Sequence, residues 1–394
     1  MKINPNLVKV TPKSIDSDNF SLCVFGAPNP IIQEWISYWN LKTEPSGKFT
    51  NILLDGQDIN QLFETPKVFD YVDGFSPNLN KHLHLGHFSN LILAKAFQSL
   101  GVGKKFIAIL GDTLEGSVDP ELAFSKYKDY CNQFGYIIDD IVFASNQVLS
   151  DESILKDGTD TYVGTKIFEV GDEKVVGIKS TGATSYFYQD VALAQNLNGS
   201  TLYLTGFEQN GHFQNLKKLF PDTQHIGLGL VSIDGKKMSS SEGNVLFLDD
   251  VFKSVMEKFN NDDKLAWNVL SGHILKYDPT SVKNINMKTI DDVKSSFGLY
   301  FSYTLAKMKS AGMAPNPITE FHSNALKFKL LKAKTNLSPN ILFEEVVDLT
   351  KKISSLYVKF HIKDNLENQK MYQPLLDDLL LGMKTLGMFD IDKV

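Results

Sequence analysis

The chain has 394 residues, enough for two or three domains with real cores, and its 42% hydrophobic and 22% charged fractions are those of an ordinary globular protein. No apolar run approaches the length that crosses a bilayer, and two cysteines, Cys23 and Cys131, cannot make a disulfide framework. A net charge of −6 excludes a uniformly basic nucleic-acid coat but allows a local basic groove.

The first residues, Met1-Lys2-Ile3-Asn4-Pro5, have no apolar core of a signal peptide, so a cytoplasmic location is the default expectation. All 40 basic residues are lysines, and the chain contains no arginine. An AT-rich coding sequence favours Lys, Asn, Ile and Phe, yet such bias seldom drives one residue type to zero over this length. Every cationic contact is therefore made by a flexible ammonium, never by a planar bidentate fork.

Residues 1–68 mix Pro, Asn and Ser with one apolar stretch, Ile31 to Trp39, and read as a small accessory segment. From about residue 69 strands and helices alternate. Phe69–Asp73 is β-prone, and Ser76-Pro77-Asn78-Leu79-Asn80 is turn-rich. Phe88, Leu91, Ile92, Lys95 and Leu100 then keep helical spacing up to a stop at Gly101. Phe106–Leu110 reads as a buried strand closed by Gly111-Asp112. A helix runs from Glu121 to Phe134 and stops at Gly135, and Ile141-Val142-Phe143 is another strand.

Residues 161–180 read as a hairpin turning at Gly171-Asp172. Leu202–Leu204 and Ile226–Val231 are further buried strands, with a helix over 211–220 between them. This alternation predicts a mostly parallel sheet covered by helices across 69–275. Past about 275 strand patterns vanish. Helical periodicity over 290–310, 322–334, 341–360 and 371–387, punctuated by Pro315, Pro317 and Pro339, predicts a helical bundle across 276–394.

Two motifs carry the chemistry. His84-Leu85-Gly86-His87 follows a strand and turn and opens a helix. A helix N-terminus offers unpaired N–H groups and a positive dipole end, which suit phosphates. Gly86 removes a side chain where an adenine could lie on the backbone, and the two histidines can donate hydrogen bonds while adding little fixed charge. His82, His84 and His87 also form a possible zinc set, but no Cys or carboxylate cluster accompanies them. The second motif is the polar, glycine-flanked loop Asp234-Gly235-Lys236-Lys237-Met238-Ser239-Ser240-Ser241-Glu242-Gly243. Alone, either motif is weak.

Together, in this order and on this β-α pattern, the motifs resemble those of class I aminoacyl-tRNA synthetases, and further segments resemble the arginyl-tRNA synthetase family. Val72-Asp73-Gly74-Phe75-Ser76-Pro77-Asn78-Leu79-Asn80-Lys81 is similar to the family's lead into its first motif. Tyr186-Phe187-Tyr188-Gln189-Asp190-Val191-Ala192 resembles its Y-x-T-x-D-x-A element. Gln209-Asn210-Gly211-His212-Phe213 resembles its Q-x-x-H-F element, and Phe301-Ser302-Tyr303-Thr304-Leu305-Ala306-Lys307 resembles its Y-A-H-A-R signature. The likeness spans roughly 70–394.

The resemblance implies a Rossmann-like parallel-sheet nucleotide-binding catalytic domain followed by an all-α anticodon-binding-type bundle. It implies that L-arginine is activated with ATP and passed to tRNA(Arg). His84, Gly86, His87, Lys236, Lys237, Met238 and Ser239 would bind ATP, with His84, His87 and Lys237 catalytic and Mg²⁺ sharing the phosphate charge without fixed protein ligands. Asp73, Ser76, Asn78, Tyr186, Asp190 and Gln209 would bind arginine, and Tyr303 and Lys307 would touch tRNA. The physics of the pocket is independent of the likeness: a guanidinium has five donors in one plane and needs a carboxylate plus neutral acceptors. Taken singly, Tyr186 and Asp190 are also an ordinary i,i+4 pair at a helix start.

The chain departs from the family at several points. Phe88-Ser89-Asn90 stands where an arginine is usual, Ser240 replaces the second lysine of the loop, and Gly111-Asp112-Thr113 keeps only part of a glycine-aspartate-tryptophan stretch. The N-terminal domain is reduced, with Thr50–Leu54 as its remnant. These departures leave open an arginine-activating paralogue outside protein synthesis and a non-catalytic arginine-, ATP- or tRNA-binding module. A monomer is expected.

Overall fold

Before residue 68 the apolar spacing is irregular, yet the segment folds around one tryptophan. Strands β1 (Lys9–Val10), β2 (Ser21–Phe25), β3 (Lys42–Ser46) and β4 (Phe49–Leu53) form an antiparallel sheet in the order β1-β2-β4-β3. Gly47, at φ +62°, supplies the left-handed turn between β3 and β4. Helix α1 (Pro30–Tyr38) starts where the Asn29 side chain accepts from Ile32 N at 2.9 Å and Pro30 takes the first helical position. A short helix, α2 (Ile59–Leu62), follows. Trp35 of α1 is fully buried and donates from Nε1 to Leu62 O at 3.1 Å. The expected remnant at Thr50–Leu54 is β4. Strands were not anticipated here because Pro45, Ser46 and Gly47 interrupt any alternation.

This computed structural model describes residues 1–10, 20–54, 57–79, 82–112, 119–237, 247–360, 362–363 and 365–394. The chain divides into two compact units, one made of Met1–Lys67 with Ser296–Val394 and the other of Val68–Ser295.

The second unit carries the alternating pattern. Its strands are β5 (Phe69–Asp73), β6 (Gly103–Leu110) and β7 (Asp140–Phe143), then β8 (Leu155–Asp157), β9 (Lys166–Val170) and β10 (Glu173–Ile178), then β11 (Thr201–Gly206), β12 (Thr223–Leu228), β13 (Val231–Ile233), β14 (Lys236–Lys237) and β15 (Lys283–Ile285). Its helices are α3 (Leu85–Leu100), α4 (Pro120–Gln133), α5 (Tyr186–Leu197), α6 (Asn210–Leu219), α7 (Leu248–Lys258) and α8 (Asp263–Leu275). Five strands form a parallel sheet in the order β12-β11-β5-β6-β7. Gly101 ends α3 in the left-handed conformation at φ +68°. The antiparallel set β10-β9-β8 includes the hairpin turning at Gly171.

Two sequence expectations need correction. Ile226–Val231 is not one strand: β12 ends at Leu228 in the parallel sheet, and β13 starts at Val231 in a separate three-stranded sheet, β14-β13-β15. The break falls at Gly229, where an added Cβ would lie 2.1 Å from Ser281 O, so only glycine permits the close approach. Strand pattern also does not end at 275, because β15 pairs in parallel with β13. Three residues, Lys-Asn-Ile, carry no readable alternation, and pairing decides them. Lys283 of β15 is wholly buried, with its ammonium donating to Pro279 O (2.7 Å) and Ser281 O (3.1 Å).

Helices α9 (Phe297–Ser310), α10 (Asn324–Asn336), α11 (Asn340–Lys359) and α12 (Leu366–Thr385) complete the first unit. Residues 290–296, expected as helix, precede α9 as a strand-free connection. Phe328 and Leu331 of α10 join Trp35, Ile52 and Phe63 in one apolar cluster, so α10 and the N-terminal sheet share a core. The loop before α10 is tied to α12 by two buried carboxylates. Asp378 accepts from His322 N (2.7 Å) and Ser323 N (2.9 Å), and Asp377 accepts from Asn316 N (2.6 Å) and Gln373 Nε2 (2.8 Å).

Candidate active site

In the parallel sheet the chain runs from β5 outward to β6 and β7, then returns to place β11 and β12 on the other side. The carboxyl ends of β5 and β11 thus flank the point where strand order reverses, the general position for a ligand crevice in such sheets. Asp73 is the last residue of β5 and Gly206 the last of β11.

Just past β5, the chain bends into α3. His84 is the N-cap. Its Nδ1 accepts from Gly86 N at 3.1 Å, and His84 N donates to His87 Nδ1 at 3.2 Å. The two rings stack with centroids 3.9 Å apart. Because both Nδ1 atoms accept from backbone amides, the proton of each neutral ring resides on Nε2. Two imidazole donors therefore sit at the positive end of a 16-residue helix.

The second motif is held at both ends. Asp234 (φ 49°) and Gly235 (φ 78°) turn β13 into β14, with Ser232 registered opposite Lys237. Two left-handed residues in a two-residue loop are the hairpin geometry that Asp-Gly favours. Asn284 anchors the turn by accepting from Gly235 N (2.8 Å) and Ser232 Oγ (3.0 Å). Met238, Ser239 and the loop through 246 lie outside the described residues. The chain is described again at Phe247, which forms an antiparallel bridge with His84, while Leu248 N donates to Leu83 O at 3.0 Å. Phe247, four residues past the second motif, is thus joined to the first.

The predicted arginine-binding residues divide into an inner and an outer set. Asp73 is 4% exposed. Ser76 Oγ donates to Asp73 Oδ1 and accepts from Ile109 N at 2.7 Å, so its hydroxyl orients the carboxylate. Burial, together with the negative charge of Asp190, pushes the Asp73 carboxyl up to about 7 against the pull of its hydrogen bonds. Asn78 bridges Gly111 at the end of β6, and its Oδ1 is buried without a partner among the described residues. Asp190, one turn into α5, takes a 2.6 Å contact from His212 Nε2 of α6. Tyr186, the first residue of α5, is 61% exposed, and Gln209, which precedes α6, makes no side-chain cap bond. These two stand at the rim.

Sequence reading left two pocket residues out. His212 lies inside the recognised Q-x-x-H-F element but was not assigned a role, and it is the direct partner of Asp190. Tyr203 of β11 carries no motif at all. Its strand register opposite Asp73 brings it to the site.

In the other unit, Tyr303 of α9 is partly exposed, and the Lys307 ammonium lies 3.9 Å from the centre of the Tyr357 ring. Two further lysines of the same unit are engaged locally. Lys332 donates to Val8 O, and Lys351 pairs with Asp348. Among the described residues no group of three or more His, Cys, Asp or Glu is arranged to hold a metal, and no helix is long and apolar enough to cross a membrane.

The parallel sheet with its reversal point, the histidine-capped helix and the helical C-terminal region give the chain a Rossmann-like α/β fold followed by a helical region. The structure matches arginyl-tRNA synthetase of Thermus thermophilus with a TM-score of 0.61 at 14% identity, over 97% of this chain and 98% of that one. It matches the arginyl-tRNA synthetase of Plasmodium falciparum with a TM-score of 0.61 at 15% identity, over 97% of each chain. No protein-family model matches. In sequence the chain is 27% identical over 274 residues to the arginine–tRNA ligase of Limosilactobacillus reuteri, covering 57% of this chain and 47% of that protein. It is 31% identical over 160 residues to the arginine–tRNA ligase of Leuconostoc mesenteroides, covering 34% and 28%. The first of these matches spans about half the length of the relative. In sequence the chain is thus similar to arginine–tRNA ligases, over about half the length of the first of them.

Proposed function

We propose that the chain activates L-arginine with ATP to arginyl-adenylate and transfers the arginyl group to the 3′ end of tRNA(Arg). The observation that supports this most directly is the placing of an acidic pocket, Asp73 and Asp190, at the carboxyl edge of the sheet that leads into the histidine-capped helix. Arginine carries two cationic ends. Asp73 with Asn78 would take the α-ammonium end, and Asp190 with Tyr186 and Gln209 the guanidinium.

The chemistry asked of the protein is positioning and charge stabilisation. The arginine carboxylate attacks the α-phosphate in line and pyrophosphate leaves. His84 and His87 would donate from Nε2 toward the phosphate oxygens, while Lys236 and Lys237, with Met238 and Ser239 beyond them, would close over the leaving group. Mg²⁺ would arrive on the ATP phosphates and neutralise part of their charge. Tyr303 and Lys307 would lie along the tRNA. With no arginine in the chain, phosphate contacts rest on lysines and should weaken steeply with salt.

The test is ATP–pyrophosphate exchange with purified protein, with arginine, lysine and canavanine, each with and without a tRNA(Arg) transcript. Exchange specific to arginine supports the reading, and no exchange with any amino acid or tRNA sinks it.

A further inference from the structure

Tyr203 is fully buried, and its hydroxyl has no hydrogen-bond partner among the described residues. The Tyr136 hydroxyl of the same unit is also buried without a partner among the described residues. In the same unit the Tyr127 hydroxyl, equally buried, donates to Phe75 O at 2.8 Å. Burying a hydroxyl without a partner costs stability, and phenylalanine would fill nearly the same space without that cost. The Tyr203 oxygen can therefore be satisfied by a ligand at no cost to a bond within the described residues.

Its location is fixed from two sides. Tyr203 on β11 is registered opposite Asp73 on β5, so the two side chains leave the sheet on the same face. The Tyr203 ring packs at 4.7 Å from Phe213, whose chain neighbour His212 holds Asp190 at 2.6 Å. Burial, with the negative charges of Asp190 and Asp73, pushes its pKa well above the ordinary tyrosine value, so it stays protonated. A phenol beside two carboxylates has a proton to give and lone pairs to offer. The donor-only cation that two carboxylates attract is the complement to those lone pairs.

We propose that Tyr203 is a further substrate-recognition residue, whose hydroxyl accepts an N–H of the cationic substrate. The proposal rests on the reading of this pocket as an arginine site. It predicts a trade between stability and affinity: the oxygen burdens the empty protein and helps hold the substrate.

The experiment compares the full-length wild type with Tyr203→Phe in ATP–pyrophosphate exchange with tRNA(Arg) present, together with thermal unfolding of the ligand-free proteins. The KM for arginine should rise about 10- to 100-fold, as for a lost hydrogen bond to a charged group. The KM for ATP should stay within about twofold, and the unfolding midpoint of the variant should equal or exceed that of wild type. A variant that saturates with arginine like an arginine-activating wild type overturns this inference alone. A variant with a lowered midpoint and equal losses for ATP and arginine also overturns it, because the oxygen is then structural. A wild type that saturates with ATP but never with arginine removes the pocket reading and this proposal together.

Discussion

Phe247 and His84 form an antiparallel backbone bridge. The residues are 163 positions apart in the chain, the difference of their numbers, and the bridge joins the exit of the lysine-serine loop to the cap of the helix that opens the first motif. Phe247 itself is thereby held beside His84.

His84 has two separable tasks, and substitution should split them. Asparagine is a good N-cap, so His84→Asn should change unfolding free energy by less than about 0.5 kcal/mol, while His84→Ala should cost about 1 kcal/mol. Both remove the Nε2 donor, so both should lower arginine-dependent pyrophosphate exchange by about 100-fold. Urea denaturation beside the exchange assay checks this. Full exchange in the asparagine variant would leave His84 with the cap alone.

Asp190 and Asp73 serve opposite ends of one substrate in this reading. Asp190→Asn keeps the shape and the contact to His212 but removes the charge. It should raise the KM for arginine by about 100-fold and leave that for ATP within about threefold, a charged-group loss of 2–3 kcal/mol. Steady-state kinetics with each substrate varied in turn is the measurement. Equal damage to both KM values counts against a guanidinium role.

The raised Asp73 pKa gives pH effects with definite signs. With a folded value of about 7 and an ordinary unfolded value near 4, the folded state holds a proton that the unfolded chain has released. Stability therefore falls as pH rises between about 4 and 7, by up to about 4 kcal/mol from this group. Ammonium binding needs the ionised form, so kcat/KM for arginine should rise through pH 7. Asp73→Asn should be more stable than wild type at pH 8, gain nothing at pH 4, and lose the kinetic rise. Unfolding titrations at both pH values, with a pH profile of wild type, decide it.

His273 of α8 works the other way. It is buried with neither ring nitrogen partnered among the described residues, and burial holds its pKa at about 4. A histidine depressed below its unfolded value of about 6.5 stays neutral in the fold, so its share of stability is complete above pH 6.5 and is lost as pH falls toward 4, up to about 3 kcal/mol. His273→Leu should unfold less readily than wild type at pH 5 by about 1–3 kcal/mol, with a smaller difference at pH 8. Guanidinium melts at both pH values test this. A variant and wild type with parallel pH curves would contradict it.

The clamp on α12 is a stability feature without a role in the proposed chemistry. Asp377→Ala strands the Asn316 amide and removes the acceptor of Gln373, so it should cost about 2–4 kcal/mol. Amide hydrogen exchange should speed at Asn316, and arginine KM should not move.

Local signals carried much of the parallel-sheet unit. Gly101 and Gly135 stop helices where the left-handed conformation is required, and Phe69–Asp73 and Phe106–Leu110 are apolar enough to be read as strands from composition and length. The two motifs were legible because backbone geometry demands their residues. Either motif alone is weak, and it is their order on the β-α pattern that makes the pair readable. The N-terminal sheet and β15 were not legible, since their short strands gain stability only from partners distant in sequence, such as β13 for β15 and Phe328 for the core around Trp35.

By itself, then, the order of residues determined the β-α alternation, the helix stops, the lysine-only cation supply and the residue types of the candidate site, because each is a property of one short stretch. Only the tertiary structure decided that Ser76 serves Asp73, that His212 holds Asp190, that Tyr203 is registered opposite Asp73, and that Phe247 returns to His84. Those facts depend on strand order and register, and a register is a relation between segments that neither segment encodes alone.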